Sequence, residues 1–205
     1  MVKRLFDVTL ALLALVLLAP LMLFTALWIK LDSAGPVLFR QTRVGRHGAL
    51  FDIRKFRTMR ATPQGSIDGR LLTVGEDLRI TRAGAFLRRT RIDELPQLID
   101  VLLGHMSMVG PRPEVPRYVA HYPSHLRQRA LAVRPGITDP ASLHFIDEAA
   151  LLAAAADPEQ MYINIILPDK VARAAAYAEQ ATLASDVAVL ARTLWSLGRS
   201  MATWS

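Results

Sequence analysis

Residues 8–29 read VTLALLALVLLAPLMLFTALWI, an uncharged run that sets the relation of the chain to a membrane. As a helix this run would be about 33 Å long, enough to cross the hydrocarbon core of a bilayer. It is too long for the apolar part of a typical signal peptide. Pro20 lies near its middle and removes one backbone donor. The run therefore predicts a membrane helix that is kinked or broken at Pro20.

Basic residues flank both ends of the run: Lys3 and Arg4 precede it, and Lys30 follows it. Because positive charge favours the cytoplasmic side, a straight span would leave one basic flank outside. A helix that enters, bends at Pro20 and returns would keep both flanks inside. We favour this re-entrant course, with an ordinary span and a tolerated proline as the alternative. The expected organisation is a membrane helical hairpin over 1–32 and a cytoplasmic domain over 33–205.

The composition excludes cysteine chemistry and favours contact with anionic molecules. The chain has 205 residues, is 52% hydrophobic, carries a net charge of +7 and contains no cysteine. Disulfides, thiolate nucleophiles and Cys-ligated metals are therefore excluded. Seven basic residues follow the apolar run and favour contact with anionic lipid or with phosphorylated molecules: Arg40, Arg43, Arg46, Arg54, Lys55, Arg57 and Arg60. No nucleic-acid motif accompanies the basic residues, so nucleic acid is not an expected partner.

The rest of the chain predicts an α+β fold that is mostly helical, with amphipathic helices packed at the membrane face. Residues 36–41 and 49–56 predict two short strands in a hairpin around Gly45–Gly48. Residues 61–80 predict a loop without a P-loop motif. Helical patterns run from Thr81 to a cap at Gly104, then over 114–131, about 146–156 and 168–198. Long parallel strands are not indicated, which argues against a dinucleotide-binding fold.

Asp93 and Glu94 are the acidic pair that could carry chemistry. The pattern places them at the start of the helix that includes Pro96, where a helix dipole favours ionised carboxylates and bound phosphate. Adjacent helical side chains point about 100° apart, so the two acids are suited to different roles rather than to sharing a proton. The competing interpretation is structural, since acids at helix starts commonly do no more than complement the dipole.

Cations near this pair shift the interpretation towards a phosphate site. Arg88, Arg89 and Arg91 lie within two helical turns of the acids, and Lys55 and Arg57 come from a strand end. Arg112 lies in a Pro-flanked loop, Gly110–Pro113, suited to a bidentate phosphate contact. Carboxylates among arginines also fit Mg²⁺, which needs few protein ligands when substrate oxygens complete its shell. The histidines lack metal-binding spacing, and Ser107 lacks a nucleophile-elbow motif.

Four ordered motifs resemble the bacterial sugar transferases, the monotopic phosphoglycosyl transferases, and the resemblance covers nearly the whole chain. The motifs are KFRTMR (55–60), DELPQL (93–98), GHMSMVGPRP (104–113) and RPGIT (134–138). Members of this family of similar length carry only the catalytic unit.

The resemblance implies an enzyme that transfers a sugar-1-phosphate from a UDP-sugar to undecaprenyl phosphate and releases UMP. It implies that Asp93 attacks the sugar-linked phosphate and forms a covalent intermediate, and that Glu94 helps to bind Mg²⁺. Arg88, Arg112, Lys55 and Arg57 are the expected phosphate-binding residues. The resemblance also implies a re-entrant membrane helix and a catalytic domain at the cytoplasmic face of the bacterial inner membrane.

Two positions depart from the family pattern. The helix break reads Ala19-Pro20 where the family has Ser-Pro, and Asp139-Pro140 stands where the family usually continues with Gly. We expect the second departure to bear on sugar specificity more than on chemistry. A non-catalytic membrane scaffold that binds anionic lipid or a partner protein is the alternative function, and it predicts that Asp93→Asn is harmless. The sequence names neither the sugar nor the pathway, and it leaves the oligomeric state open, a dimer included.

Overall fold

The computed structural model describes residues 1–60, 72, 77–139 and 148–202. Its helices are α1 (Val2–Asp32), α2 (Arg82–Thr90), α3 (Gln97–Leu102), α4 (Pro116–Val119), α5 (Ser124–Ala130), α6 (Glu148–Ala153), α7 (Pro158–Met161), α8 (Leu167–Gln180) and α9 (Leu183–Ala202). Its strands are β1 (Leu38–Val44), β2 (Leu50–Phe56), β3 (Ser107–Val109) and β4 (Gly136–Thr138). Helix therefore predominates, as the sequence predicted.

Helix α1 runs without interruption through Pro20. The predicted division into two helices is therefore wrong at the level of secondary structure: the proline is accommodated inside a single helix of 31 residues. Among the described residues, α1 is the helix that is long and apolar enough to cross a membrane. Its outer face is apolar and more than half exposed at each of nine positions: Leu5, Leu12, Leu13, Val16, Leu17, Leu23, Phe24, Leu27 and Leu31.

Both ends of α1 are bound to the rest of the chain. Near its start, the guanidinium of Arg4 donates to the carbonyls of Val101 and Leu102 at 2.7 and 3.1 Å. The buried carboxylate of Asp7 accepts hydrogen bonds from the Ser107 hydroxyl and the Met108 amide. At the other end, Asp32 accepts from the Ala83 amide at 3.3 Å. The two ends of an apolar helix therefore lie against one folded body.

The β-hairpin is present where the sequence predicted it, although its first strand begins at Leu38 rather than at residue 36. Strands β1 and β2 pair antiparallel from Leu38 opposite Phe56 to Val44 opposite Leu50. The connecting turn uses positive φ at His47 and at Gly48. Strands β3 and β4 form a short parallel pair that the sequence did not indicate, because three residues are too few to show a strand pattern.

Several predicted helices are divided. The pattern from Thr81 to Gly104 breaks because Arg91 adopts a left-handed conformation, with φ 58°, and ends α2. A 3₁₀ turn, Ile92–Glu94, follows, and α3 begins after Pro96. Asp93 and Glu94 therefore precede α3 instead of starting a helix that contains Pro96, whereas Gly104 has the positive φ expected after a helix end.

Prolines and caps explain the other divisions. Residues 114–131 form α4 and α5 because Pro123 disfavours a helical conformation at the preceding residue. The tail helix predicted over 168–198 is α8 and α9. Thr182 and Ser185 separate them by exchanging side-chain to backbone hydrogen bonds at the start of α9. The predicted loop over 61–80 lies mostly outside the described residues, as do Pro140 and the first two residues of the helix predicted at 146–156.

Three hydrophobic clusters form the core. The first joins Ala11 of α1 to β2, α3, β3 and α9, and the third joins Ile29 of α1 to Phe56 and Leu87. The second lies among α4, α5, α6 and α8. Because α1 contributes to two clusters, the strand β2, the helices α2 and α3 and the end of β3 are held in fixed positions around residues 93 and 94.

Candidate active site

The candidate site lies where the 3₁₀ turn Ile92–Glu94 meets β2 and the loop after β3. Asp93 and Glu94 are 7% and 6% exposed, so neither is an ordinary solvated acid at a helix start. Burying ionised carboxylates is costly unless cations or hydrogen bonds compensate. The chain supplies cations here from distant positions in the sequence.

Glu94 carries most of the cationic contacts. Its Oε1 accepts from Lys55 Nζ at 2.8 Å and from Arg112 Nη2 at 2.7 Å, and Arg91 Nη1 lies 3.8 Å away. Burial alone would raise the pKa of Glu94, but the charges of Arg112 and Lys55 outweigh it and hold that pKa well below its usual range. Glu94 is therefore ionised at neutral pH.

Asp93 has the opposite character. Its Oδ1 is buried and has no hydrogen-bond partner. Burial, reinforced by the neighbouring negative charge of Glu94, raises the pKa of Asp93 to about 6, against the lowering effect of Lys55, Arg112 and Arg88. A buried, unpaired carboxylate oxygen of raised pKa has the properties of a poised nucleophile. The two acids therefore lie in different environments: Glu94 Oε1 is paired with two cations, whereas Asp93 Oδ1 has no hydrogen-bond partner.

The cations reach the site from three elements. Lys55 comes from β2, and Arg112 follows β3 in the loop that begins at Gly110. Gly110 and Gly136 allow β3 and β4 to approach closely: a Cβ on Gly136 would lie 2.1 Å from the Gly110 amide nitrogen. The negative charge of Glu94 raises the pKa of Arg112, and burial lowers the pKa of Lys55. Lys55 and Arg112 are thus both paired with the buried carboxylate of Glu94.

Arg88 is placed by a close contact between α2 and the end of β2. A Cβ on Gly84 would lie 2.0 Å from the Thr58 carbonyl oxygen, so α2 packs directly on the chain after β2. Arg88 Nε then donates to Thr58 Oγ1 at 2.9 Å. Burial lowers the pKa of Arg88, and the charge of Asp93 opposes that effect, so Arg88 lies within electrostatic reach of Asp93.

Arg57 does not join this group, contrary to the sequence prediction. Its buried guanidinium donates to the carbonyls of Ser33 and Ala34, and it reaches the Ile29 carbonyl at 3.5 Å. These carbonyls belong to the last turn of α1 and the residues after it, where a cation complements the helix dipole. The structure therefore assigns Arg57 to fixing the end of α1 and not to phosphate binding.

Two polar residues near the site were not predicted from the sequence. Gln97, one turn after Asp93, is 2% exposed, and its Nε2 has no hydrogen-bond partner. Asp100 is fully buried and accepts from both the amide and the guanidinium of Arg54, which ties α3 to β2. The spacing of Gln97 and Asp100 from Asp93, at one and two helical turns, was the available signal.

Among the described residues there is no group of three or more acidic, histidine or cysteine side chains that could enclose a metal. The site offers the unpaired Oδ1 of Asp93 and the carboxylate of Glu94, whose Oε1 already accepts from two cations. This donor set fits Mg²⁺ only if substrate oxygens supply most of the shell. That is the usual arrangement for Mg²⁺ with phosphorylated substrates.

The chain is similar to known proteins over most of its length. The family model for bacterial sugar transferases matches residues 1–200. The exopolysaccharide production protein PSS of Rhizobium leguminosarum bv. phaseoli is 59% identical over 110 residues, which are 54% of this chain and 54% of that protein. The UDP-glucose:undecaprenyl-phosphate glucose-1-phosphate transferase of Caulobacter vibrioides is 49% identical over 138 residues, which are 66% of this chain and 51% of that protein.

A third relative is named for another sugar. The UDP-N-acetylgalactosamine-undecaprenyl-phosphate N-acetylgalactosaminephosphotransferase of Aeromonas hydrophila is 43% identical over 141 residues, covering 67% of this chain and 32% of that protein. The aligned part of the chain thus spans about half the length of the first two relatives and less of the third.

Proposed function

Because this chain belongs to the bacterial sugar transferase family, we propose that it transfers a sugar-1-phosphate from a UDP-sugar to undecaprenyl phosphate and releases UMP. The Caulobacter and Aeromonas relatives are named for sugar-phosphate transfer to undecaprenyl phosphate, each with a different sugar. The name of the Rhizobium relative points to exopolysaccharide production as the setting.

The observation that carries the proposal is the unpaired, buried Oδ1 of Asp93 beside the Glu94–Lys55–Arg112 cluster. In the first step Asp93 Oδ1 attacks the sugar-linked phosphorus. The bond from that phosphorus to the bridging oxygen breaks, and UMP leaves with the electron pair. In the second step an oxygen of undecaprenyl phosphate attacks the same phosphorus, and the Asp93 carboxylate leaves. The product is a polyprenyl-diphosphate sugar.

The surrounding charges fit this chemistry. A carboxylate and a diphosphate repel each other, and Arg112, Lys55 and Arg88 offset that repulsion with donors held in place before substrate arrives. Glu94 keeps Lys55 and Arg112 oriented, and its carboxylate with substrate oxygens would hold Mg²⁺. When bound, this ion would neutralise charge on the phosphates.

The raised pKa of Asp93 is consistent with a nucleophile. A carboxylate with a higher pKa is a stronger nucleophile, and it is still ionised at neutral pH when its pKa is about 6. An acid that merely complemented a helix dipole would gain nothing from burial without a hydrogen-bond partner. This distinction favours the transferase over a non-catalytic scaffold.

We also propose that α1 is re-entrant and holds the site at the cytoplasmic face of the inner membrane. The helix is about 46 Å long at 1.5 Å per residue, yet residues at both its ends contact the same folded body. The exposed apolar side chains lie mainly between these ends. A helix that dips into the lipid, bends at Pro20 without ending and returns would account for both facts and would keep the basic flanks on one side.

The decisive experiment measures UMP release from a panel of UDP-sugars with Mg²⁺ and undecaprenyl phosphate, using detergent-solubilised protein. We expect Asp93→Asn to abolish release and Glu179→Gln, which alters an exposed ion pair with Arg129, to leave it unchanged. Incubation with UDP-sugar and Mg²⁺ but without undecaprenyl phosphate should add one phosphosugar to the intact protein mass, and this adduct should be absent from Asp93→Asn. Full activity of Asp93→Asn would rule out the nucleophile.

The membrane course has its own test. Because the chain contains no cysteine, single cysteines at Val2 and Ala34 report their own accessibility without background labelling. A membrane-impermeant thiol reagent should label both from the cytoplasmic side of oriented vesicles. Labelling of the two positions from opposite sides would show an ordinary span.

A further inference from the structure

The loop that carries Arg112 follows a backbone carbonyl that is held by side chains from distant helices. Val109 ends β3, and the loop Gly110–Pro113 begins directly after it. The Val109 carbonyl oxygen accepts from Lys3 Nζ at 3.2 Å and lies 3.0 Å from the Tyr177 hydroxyl. Lys3 belongs to the first turn of α1 and Tyr177 to α8. These contacts join positions that are 106 and 68 residues apart in sequence.

Two buried carboxylates orient these donors. Asp186 lies in the first turn of α9 and is fully buried. Its Oδ2 accepts from Lys3 Nζ, and its Oδ1 lies 2.6 Å from the Tyr177 hydroxyl. Asp7, one turn after Lys3 in α1, is 2% exposed and lies 3.9 Å from the same ammonium. Asp7 Oδ2 also accepts from the Ser107 hydroxyl of β3 at 2.9 Å.

This buried cluster of Lys3, Asp7, Tyr177 and Asp186 does more than bury surface. Two carboxylates against one ammonium are costly to bury unless hydrogen bonds compensate. Burial, reinforced by Asp186, raises the pKa of Tyr177, so its hydroxyl is a donor at neutral pH. A buried hydrogen-bonded network fixes the positions of its members more closely than apolar contacts do. The proposed chemistry uses none of these four side chains.

Two connections lead from this cluster to Arg112. The first is the backbone, because Arg112 follows the held carbonyl of Val109 by three residues. The second is Asp139, whose charge raises the pKa of Tyr177 and that of Arg112 and which is therefore within electrostatic reach of both. Asp139 and Arg112 also line the same narrow cleft. The cluster is thus close enough to influence where the guanidinium lies.

The loop itself has few means of holding its position. Pro111 and Pro113 donate no backbone hydrogen bonds. The Pro111 carbonyl accepts from the Gly136 amide at 3.0 Å, so β4 holds one side of the loop. The cluster holds the carbonyl of Val109 before the loop begins. A shift of that carbonyl would therefore move Arg112 within the site.

We propose that three residues outside the site position Arg112 for the reaction: Lys3, Tyr177 and Asp186. By holding the Val109 carbonyl, they set where the guanidinium of Arg112 meets the diphosphate of the UDP-sugar. The proposal rests on the proposed function, because it assumes that Arg112 contacts that diphosphate. It makes the geometry of the site depend on α1, α8 and α9, which contribute no residue to the site itself.

Tyr177→Phe tests the proposal with a small change, because it removes one hydroxyl and keeps the ring. At a temperature well below unfolding, kcat/KM for UMP release should fall by about tenfold to a hundredfold, as for displacement of a substrate-positioning group. The matched control is Tyr118→Phe, since the Tyr118 hydroxyl forms no hydrogen bond within the described residues. This control should leave kcat/KM unchanged. An unchanged kcat/KM in Tyr177→Phe, even with a lowered unfolding midpoint, would show a structural role only and overturn the proposal.

A double-mutant cycle asks whether Tyr177 acts through Arg112. In the Arg112→Lys background, adding Tyr177→Phe should lower kcat/KM by no more than about twofold, because the positioned guanidinium is already lost. In the Arg88→Lys background it should cause its full loss, since Arg88 is placed separately by its contact with Thr58. Asp186→Asn should show the same two patterns. Full losses in both backgrounds would overturn the proposal.

Binding measurements separate this proposal from the transferase proposal. UDP-glucose and UDP-N-acetylgalactosamine, the nucleotide sugars named for two relatives, are titrated calorimetrically into Asp93→Asn. Adding Tyr177→Phe should weaken their binding, and it should cause no further weakening once Arg112→Lys is present. If the wild type released no UMP but this binding pattern held, the positioning role would stand and the transferase proposal would fail. If the wild type released UMP and Tyr177→Phe matched it in turnover and in binding, the positioning role alone would fail.

Discussion

Replacing Asp93 with asparagine should stabilise the folded protein at neutral pH while destroying its proposed activity. Burial and the neighbouring Glu94 raise the pKa of Asp93 from 3.8 to about 6. Because the folded-state pKa lies above the unfolded value, the folded protein is penalised as Asp93 ionises, and the penalty grows as pH rises from 3.8 to 6. Asparagine cannot ionise, so it removes the penalty.

The size of the effect follows from the shift. A shift of about two pKa units, at about 1.4 kcal/mol per unit, predicts that Asp93→Asn raises the free energy of unfolding by about 3 kcal/mol at pH 7.5. At pH 4.5 the carboxyl is already protonated in the folded protein, so the same linkage predicts a stabilisation by Asp93→Asn of only about 1 kcal/mol. For a chain of this length, about 3 kcal/mol corresponds to a rise of about 6–12 °C in the unfolding midpoint.

The assay is thermal unfolding in detergent at pH 7.5 and pH 4.5 for the wild type, Asp93→Asn and Glu94→Gln. Glu94→Gln is the matched control with the opposite sign. The pKa of Glu94 in the folded protein is depressed, and the variant leaves Lys55 and Arg112 without their buried anion. The variant should therefore lose about 3–5 kcal/mol of unfolding free energy at pH 7.5. If Asp93→Asn shifted the midpoint equally at both pH values, or lowered it at pH 7.5, the assigned environment of Asp93 would be wrong.

Four further predictions concern activity and packing. The kcat/KM for UMP release should rise about tenfold per pH unit below about 6 and level off above it, because Asp93 must be ionised to attack; a flat profile from pH 5 to 7 would exclude it as the titrating group. EDTA should abolish release and added Mg²⁺ should restore it, whereas activity in EDTA would refute the metal assignment. Gly136→Ala should cost about 3 kcal/mol or more in unfolding free energy because the added Cβ meets Gly110. Its control is Gly198→Ala, which has open space around it and should stabilise α9 by about 0.5–1 kcal/mol. Similar unfolding midpoints for the two variants would contradict the close approach of β3 and β4. Arg57→Met should lower the unfolding free energy by about 2–3 kcal/mol through loss of its carbonyl contacts and leave KM for the UDP-sugar unchanged; a raised KM would return Arg57 to the substrate site.

Local patterns accounted for much of the fold. The uncharged run gave α1, the Gly45–Gly48 turn gave the hairpin, and Gly104 marked the end of α3. These features depend on neighbours within a few residues, so the sequence alone exposes them. The pattern failed at Arg91, because a left-handed residue that is not glycine is set by packing around it rather than by its own preference.

The candidate site also combines features that are visible in the sequence with features that depend on tertiary packing. The sequence by itself determined the acidic pair, the supply of basic residues and the apolar helix that would keep them near lipid. Only the tertiary structure decided that Lys55 and Arg112 meet Glu94 rather than Asp93, that Arg57 turns to the end of α1, and that Asp139 lines a cleft with Arg112. The contact from Lys55 to Glu94 joins residues 39 apart in sequence, and such contacts follow from how the elements pack. Burial, which makes Asp93 a nucleophile candidate rather than a helix-start acid, is likewise a property of the packed molecule and leaves no trace in the order of the residues.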